Sequence, residues 1–99
     1  MSVLDPVFLA RFEREMAVNQ DSKGCWRAAM ECEDTDWAYV LDELDDHVRK
    51  LKNAIQHGFG LERIREHCAD IAGNAMMAHH FAGVEHARVE QLIREMEEA

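Results

Sequence analysis

Nowhere does the chain run apolar for the roughly 18 residues that a transmembrane helix requires. Its first residues also lack the basic-then-apolar order of a secretory signal. No membrane association is expected, and a cytoplasmic location is. Basic residues are in deficit, with 11 Lys and Arg against 20 Asp and Glu and a net charge of −9. A binder of duplex nucleic acid needs a basic face to neutralise phosphates, so that class is excluded. The cysteines, Cys25, Cys32 and Cys68, are odd in number and lack the CxxC spacing of a zinc finger. They read as free thiols of a reducing compartment. Cys68 falls on an apolar stripe and reads as a small core residue. No stretch alternates as a strand would, and no linker, repeat or low-complexity tract divides the chain. A single all-α domain over residues 1–99 follows.

What is present is helical periodicity. Asp5-Pro6 opens a first helix, because Asp caps free amides and proline suits the first helical position. Phe8, Leu9, Phe12 and Met16 follow at helical spacing, and the helix is expected to end before the polar loop Asn19–Gly24. Trp26 to Asp34 reads as a loop or a short helical turn. Thr35 is the expected cap of a second long helix, whose Leu44, Val48, Leu51 and Ile55 form one apolar face. Gly58 and Gly60 break it. A third helix runs from Leu61 to Phe81 on the stripe Ile64, Cys68, Ile71, Ala75 and Ala78. Gly83 is expected to end or bend it before a last helix carrying Val89, Leu92, Ile93 and Met96. The two central helices, joined by a short glycine turn, should pack antiparallel in a helical bundle. Met30, Met76 and Met77 read as core, as do Trp26 and Trp37, although either indole could stack on a base.

At about 100° per residue, both central helices carry a polar flank on the same side of the apolar stripe. One flank is Glu43, His47, Lys50 and Ala54, and the other is Arg63, His67, Asp70 and Asn74. If the stripes share a core, the flanks can line a common cleft. His47, His67 and Asp70 also compose a two-His-one-carboxylate set, with His80 in reserve, of a kind that suits Zn²⁺, Mn²⁺ or Fe²⁺. The alternative is that these are half-buried and solvated side chains with no ligand.

The stretch from Leu44 to Met77 resembles the MazG-type all-α nucleoside triphosphate pyrophosphohydrolases, which carry an EExxE helix and, after a loop, an ExxD helix. Lys23-Gly24-Cys25-Trp26, Ala69-Asp70-Ile71-Ala72 and Ala75-Met76-Met77 are similar to segments of the small MazG-like proteins common in phages. The resemblance extends over about two thirds of the chain. It implies a MazG-like antiparallel bundle, a nucleotide as ligand, and self-association as a homodimer or tetramer, which also adds core to a small chain.

The chain departs from that pattern where the metal would sit. The EExxE positions fall on Asp46, His47 and Lys50, and the ExxD positions on His67 and Asp70. A second register takes Glu43 and Asp46 with Glu66 and Asp70, but the last pair is then four residues apart and not three. In the family, converging carboxylates hold Mg²⁺, which clamps the phosphates and helps activate water. An ammonium at Lys50 opposes that metal and can itself meet a phosphate as a point charge, assisted by Arg49 and Arg63. The resemblance thus implies a phage-type protein that binds a nucleotide or nucleotide-derived signal through Lys50, His47, His67, Asp70, Asn74, Arg49 and Trp26. Pyrophosphohydrolase activity would be impaired or absent. Two alternatives stay open: an active hydrolase using Mg²⁺ or Mn²⁺ with Asp46 and Asp70, and a ligand-free helical assembly domain.

Overall fold

The computed structural model describes residues 4–99, all of whose regular structure is helical: α1 (Pro6–Lys23), α2 (Trp26–Glu31), α3 (Trp37–Gln56) and α4 (Leu61–Glu98). No strand occurs among the described residues, and no helix is long and apolar enough to cross a membrane. α4 is the common partner, packing against α1, α2 and α3 in turn. α3 and α4 lie side by side across a turn in which Gly58 and Gly60 take φ of 65° and 99°, a left-handed region that side chains disfavour.

Local signals explain most boundaries. The Asp5 carboxylate accepts from the Val7 amide at 2.9 Å, with Pro6 in the first helical position. α1 does not stop before Asn19 but continues to Lys23 and closes on Gly24, whose φ of 88° ends it. The polar residues expected to form a loop are helix-compatible, and the Ser22 hydroxyl bonds back to the Val18 carbonyl at 3.1 Å. α3 is capped by Asp36, which accepts from the Tyr39 amide at 2.9 Å. Thr35, the expected cap, instead donates its hydroxyl to the Ala29 carbonyl at 2.6 Å and ties the loop to α2.

Gly83 neither ends nor bends the last helix. A glycine inside a helix costs about 1 kcal/mol relative to alanine, and the strong helix formers on either side override it. The expected third and fourth helices are one helix of 38 residues. At about 1.5 Å per residue it is about 57 Å long, close to the 59 Å longest dimension of the molecule.

The core is small. Met30, Val40 and Phe81 are buried together, with Trp26, Met77 and Ala78 packed around them. Phe81 is fully enclosed and meets Trp37 edge-on at 4.8 Å, and burial of such a ring stabilises by about 1.5–3 kcal/mol. The inward faces are rotated from those expected. On α4 the buried positions are Ala69, Gly73, Asn74 and Phe81, while Cys68, expected in the core, is exposed. On α3 they are Val40 and Ala54, while Ile55 is exposed. The reason is that α1 and α2 also dock on α4, which turns its 69–73–77–81 ridge inward.

Candidate functional site

That rotation carries part of each polar flank, His47 on α3 and Asp70 and Asn74 on α4, toward the interior. Where the four helices meet, they enclose a cleft with a cavity of about 150 Å³. α1 contributes Glu15, Met16, Asn19, Gln20 and Lys23 from its C-terminal half. The α1–α2 junction and α2 add Gly24, Cys25, Trp26, Ala29 and Met30. Tyr39, Val40, Glu43 and His47 come from α3, and Ala69, Asp70, Gly73, Asn74 and Met77 from α4.

Helical spacing accounts for each wall. Glu43 and His47, and likewise Asp70 and Asn74, stand one turn apart on their helices. Gly73 lets α1 approach, since a Cβ there would lie 2.8 Å from the Met16 sulfur. Trp26 is fixed edge-on against the His80 ring at 5.4 Å, and the Arg27 guanidinium lies over its indole at 5.0 Å. α2 itself is held to α4 by His80, 3.0 Å from a Glu31 carboxylate oxygen, and by Arg88, which donates to the Glu31 and Cys32 carbonyls at 3.1 and 3.3 Å.

Asp70 is the electrostatic centre. Its Oδ2 lies 3.9 Å from His47 Nδ1 and 3.8 Å from His67 Nδ1. Both distances exceed a hydrogen bond, and among the described residues each buried Nδ1 has no hydrogen-bond partner. Asn74, 8% exposed, donates its amide nitrogen to the Asp70 main-chain carbonyl at 2.9 Å.

Of the residues expected at a ligand site, Trp26, His47, Asp70 and Asn74 line the cavity. His67 stands behind Asp70 and not in the lining. Lys50, Arg49 and Asp46 are not in the lining either. Lys50 pairs with Asp46 at 3.0 Å, and Arg49 pairs with the same carboxylate. These hydrogen bonds, from Lys50 first and then Arg49, hold the Asp46 carboxyl below its usual value. The physical reason is position along the helix. Lys50 shares the angular side of Glu43, but it stands seven residues, about 10 Å, further along α3, where it pairs with Asp46. Arg63 is exposed and also absent from the lining.

His47, His67 and Asp70, the expected metal set, do converge, with both rings turned to a single carboxylate oxygen. Among the described residues no three His, Cys, Asp or Glu side chains are placed so as to hold a metal ion. His80, the reserve ligand, is engaged with Glu31.

Sequence reasoning missed the α1 wall. Asn19, Gln20 and Lys23 had been read as loop, and only the helical spacing of Phe12, Met16, Asn19, Gln20 and Lys23 signalled a continued face. Tyr39 was missed with them. No family model matches the chain, and neither a curated protein nor a solved structure matches it significantly.

Proposed function

We propose that this protein is a MazG-like binder of a nucleotide or nucleotide-derived small molecule, with pyrophosphohydrolase activity impaired or absent. The observation that carries the reading is the composition of the cavity: aromatic Trp26 and Tyr39 beside the amides of Asn19, Gln20 and Asn74. A nucleobase asks for that combination, a face to stack on and polar edges to pair with. The phosphate end would lie at the mouth near Lys23, the cation of the lining, with Arg27 adjacent through its stacking on Trp26. Lys23 thereby takes the role that the resemblance implied for Lys50. Activity is proposed as impaired because Asp46, one of the two aspartates an active hydrolase would use, is paired with Lys50 and Arg49 and lies outside the cavity lining. Self-association belongs to the same proposal, and the exposed stripe Val89, Leu92, Ile93 and Met96 on α4 is the surface a second copy would cover.

The test is titration calorimetry of the full chain against nucleoside mono-, di- and triphosphates and cyclic nucleotides, without added metal. Binding is expected for at least one, weakened several-fold by Lys23→Ala and left unchanged by Lys50→Ala. No binding across the panel would remove the reading. Pyrophosphate release from a triphosphate with Mg²⁺ or Mn²⁺, abolished in Asp70→Asn, would replace it with that of a hydrolase.

A further inference from the structure

We infer that two copies of the chain pair through the last four turns of α4, residues 84–98, with the two helices antiparallel. This rests on the preceding reading only for self-association and is independent of the nucleotide. Exposed area argues for a second copy. The chain exposes 7385 Å², whereas a folded monomer of 11.4 kDa should expose about 5,800 Å². The excess of about 1,600 Å² falls in the range that one subunit of an obligate dimer buries. The radius of gyration is 16.8 Å, against about 12.6 Å for a compact domain of 99 residues. Both excesses trace to α4, which outruns the other helices, and every residue beyond Arg88 is exposed.

Val89, Leu92, Ile93 and Met96 recur at i, i+3, i+4 and i+7 and are 49–70% exposed, the pattern of a coiled-coil seam. A stripe on one helix is self-complementary when a two-fold axis crosses it. Charge sets the direction. Arg88 and Glu95, seven residues apart, stand on the same flank of the stripe. In an antiparallel pair like flanks meet, so Arg88 of each copy faces Glu95 of the other while Val89 packs on Leu92. The five N–H donors of Arg88 exceed the three bonds it makes to Glu85, Glu31 and Cys32, so it can take the added carboxylate. A parallel pair would instead gather Glu95, Glu97 and Glu98 of both copies and align the helix dipoles, both unfavourable.

The experiment is sedimentation equilibrium with small-angle X-ray scattering on the full chain, over a concentration series and without nucleotide. A dimer is expected whose longest dimension is about 90 Å, two 59 Å molecules overlapping along the ends of α4. Ile93→Glu should yield a monomer, with circular dichroism followed to confirm helix content. Glu95→Arg, which sets like charge against Arg88 and leaves the apolar stripe intact, should weaken the dimer several-fold. A monomer throughout the series, or a dimer that survives Ile93→Glu, overturns the proposal. A dimer little longer than one molecule, or one that Glu95→Arg does not weaken, overturns the antiparallel arrangement. Absence of nucleotide binding by the same samples removes the nucleotide reading and leaves this pairing standing.

Discussion

Two aspartates, Asp46 on α3 and Asp70 on α4, each stand between two groups able to carry positive charge, with opposite results. Asp46 finds Lys50 at 3.0 Å and Arg49 within one turn of its own helix, on an open face. Asp70 stands between His67 on its own helix and His47 on α3, and all three side chains are at most 15% exposed. The outer cluster is complete, solvated and screened, and such pairs contribute little to stability. The inner one bridges two helices, borders the cavity and leaves two buried ring nitrogens without hydrogen bonds. Saturated pairing thus marks the inert surface of this chain. On the proposed reading, incomplete pairing marks the place where a ligand has bonds left to complete.

The largest expected effect separates the two clusters directly. Asp70→Ala should lower nucleotide affinity by about tenfold or more, the order of effect for a lost charged hydrogen-bond partner, while Asp46→Ala leaves it unchanged. Calorimetry with the tightest nucleotide of the panel reads both, and an equal loss in the two variants would erase the distinction.

A smaller effect is expected from Gly73→Ala. The new methyl would press on the Met16 sulfur, 2.8 Å away, and that side chain already borders the cavity into which it must retreat. Affinity should fall several-fold. The melting temperature should move little, because alanine is favoured over glycine in a helix by about 1 kcal/mol, which offsets the crowding. A large drop in melting temperature with affinity intact would assign the glycine to helix packing alone.

The smallest effect lies in the outer cluster. Lys50 and Arg49 hold the Asp46 carboxyl below its usual 3.8. An acid depressed in the folded state favours folding above its usual value, and that contribution disappears as pH falls through the lowered one. In a variant carrying Lys50→Ala and Arg49→Ala, the Asp46 carboxyl should titrate nearer its usual value, as followed by the NMR shift of its side-chain carbon. Nucleotide affinity at neutral pH should be the same as before. A change in that affinity would connect the outer cluster to the cavity after all.

Much of the architecture was legible because it is written in short-range chemistry. Asp5-Pro6 and the glycines of the α3–α4 turn act within a few residues, and a local reading finds them. The two polar flanks were also legible as partners across a turn, and His47, Asp70 and Asn74 do meet at one cleft. What stayed hidden depends on a third body. Periodicity alone puts Cys68 and Ile55 inside, and only the docking of α1 and α2 on α4 rotates the inward ridge to Ala69 and Gly73. Periodicity gives Lys50 nearly the same side of α3 as Glu43, and only the three-dimensional packing shows that the cavity ends before Lys50 is reached. Gly83 was overread because one glycine weighs little against two flanking runs of helix formers.

The six residues of α2 are too few to persist as a helix in isolation. Its order is borrowed from α4, through Met30 in the core and through His80 and Arg88, which engage its last turn from outside. During folding, α3 and α4 can pair across their short turn before α2 has anything to hold it. The wall that carries Trp26 is then the last to be built, and the backbone amides of Trp26–Glu31 should be the first to exchange with solvent once the assembled chain begins to breathe.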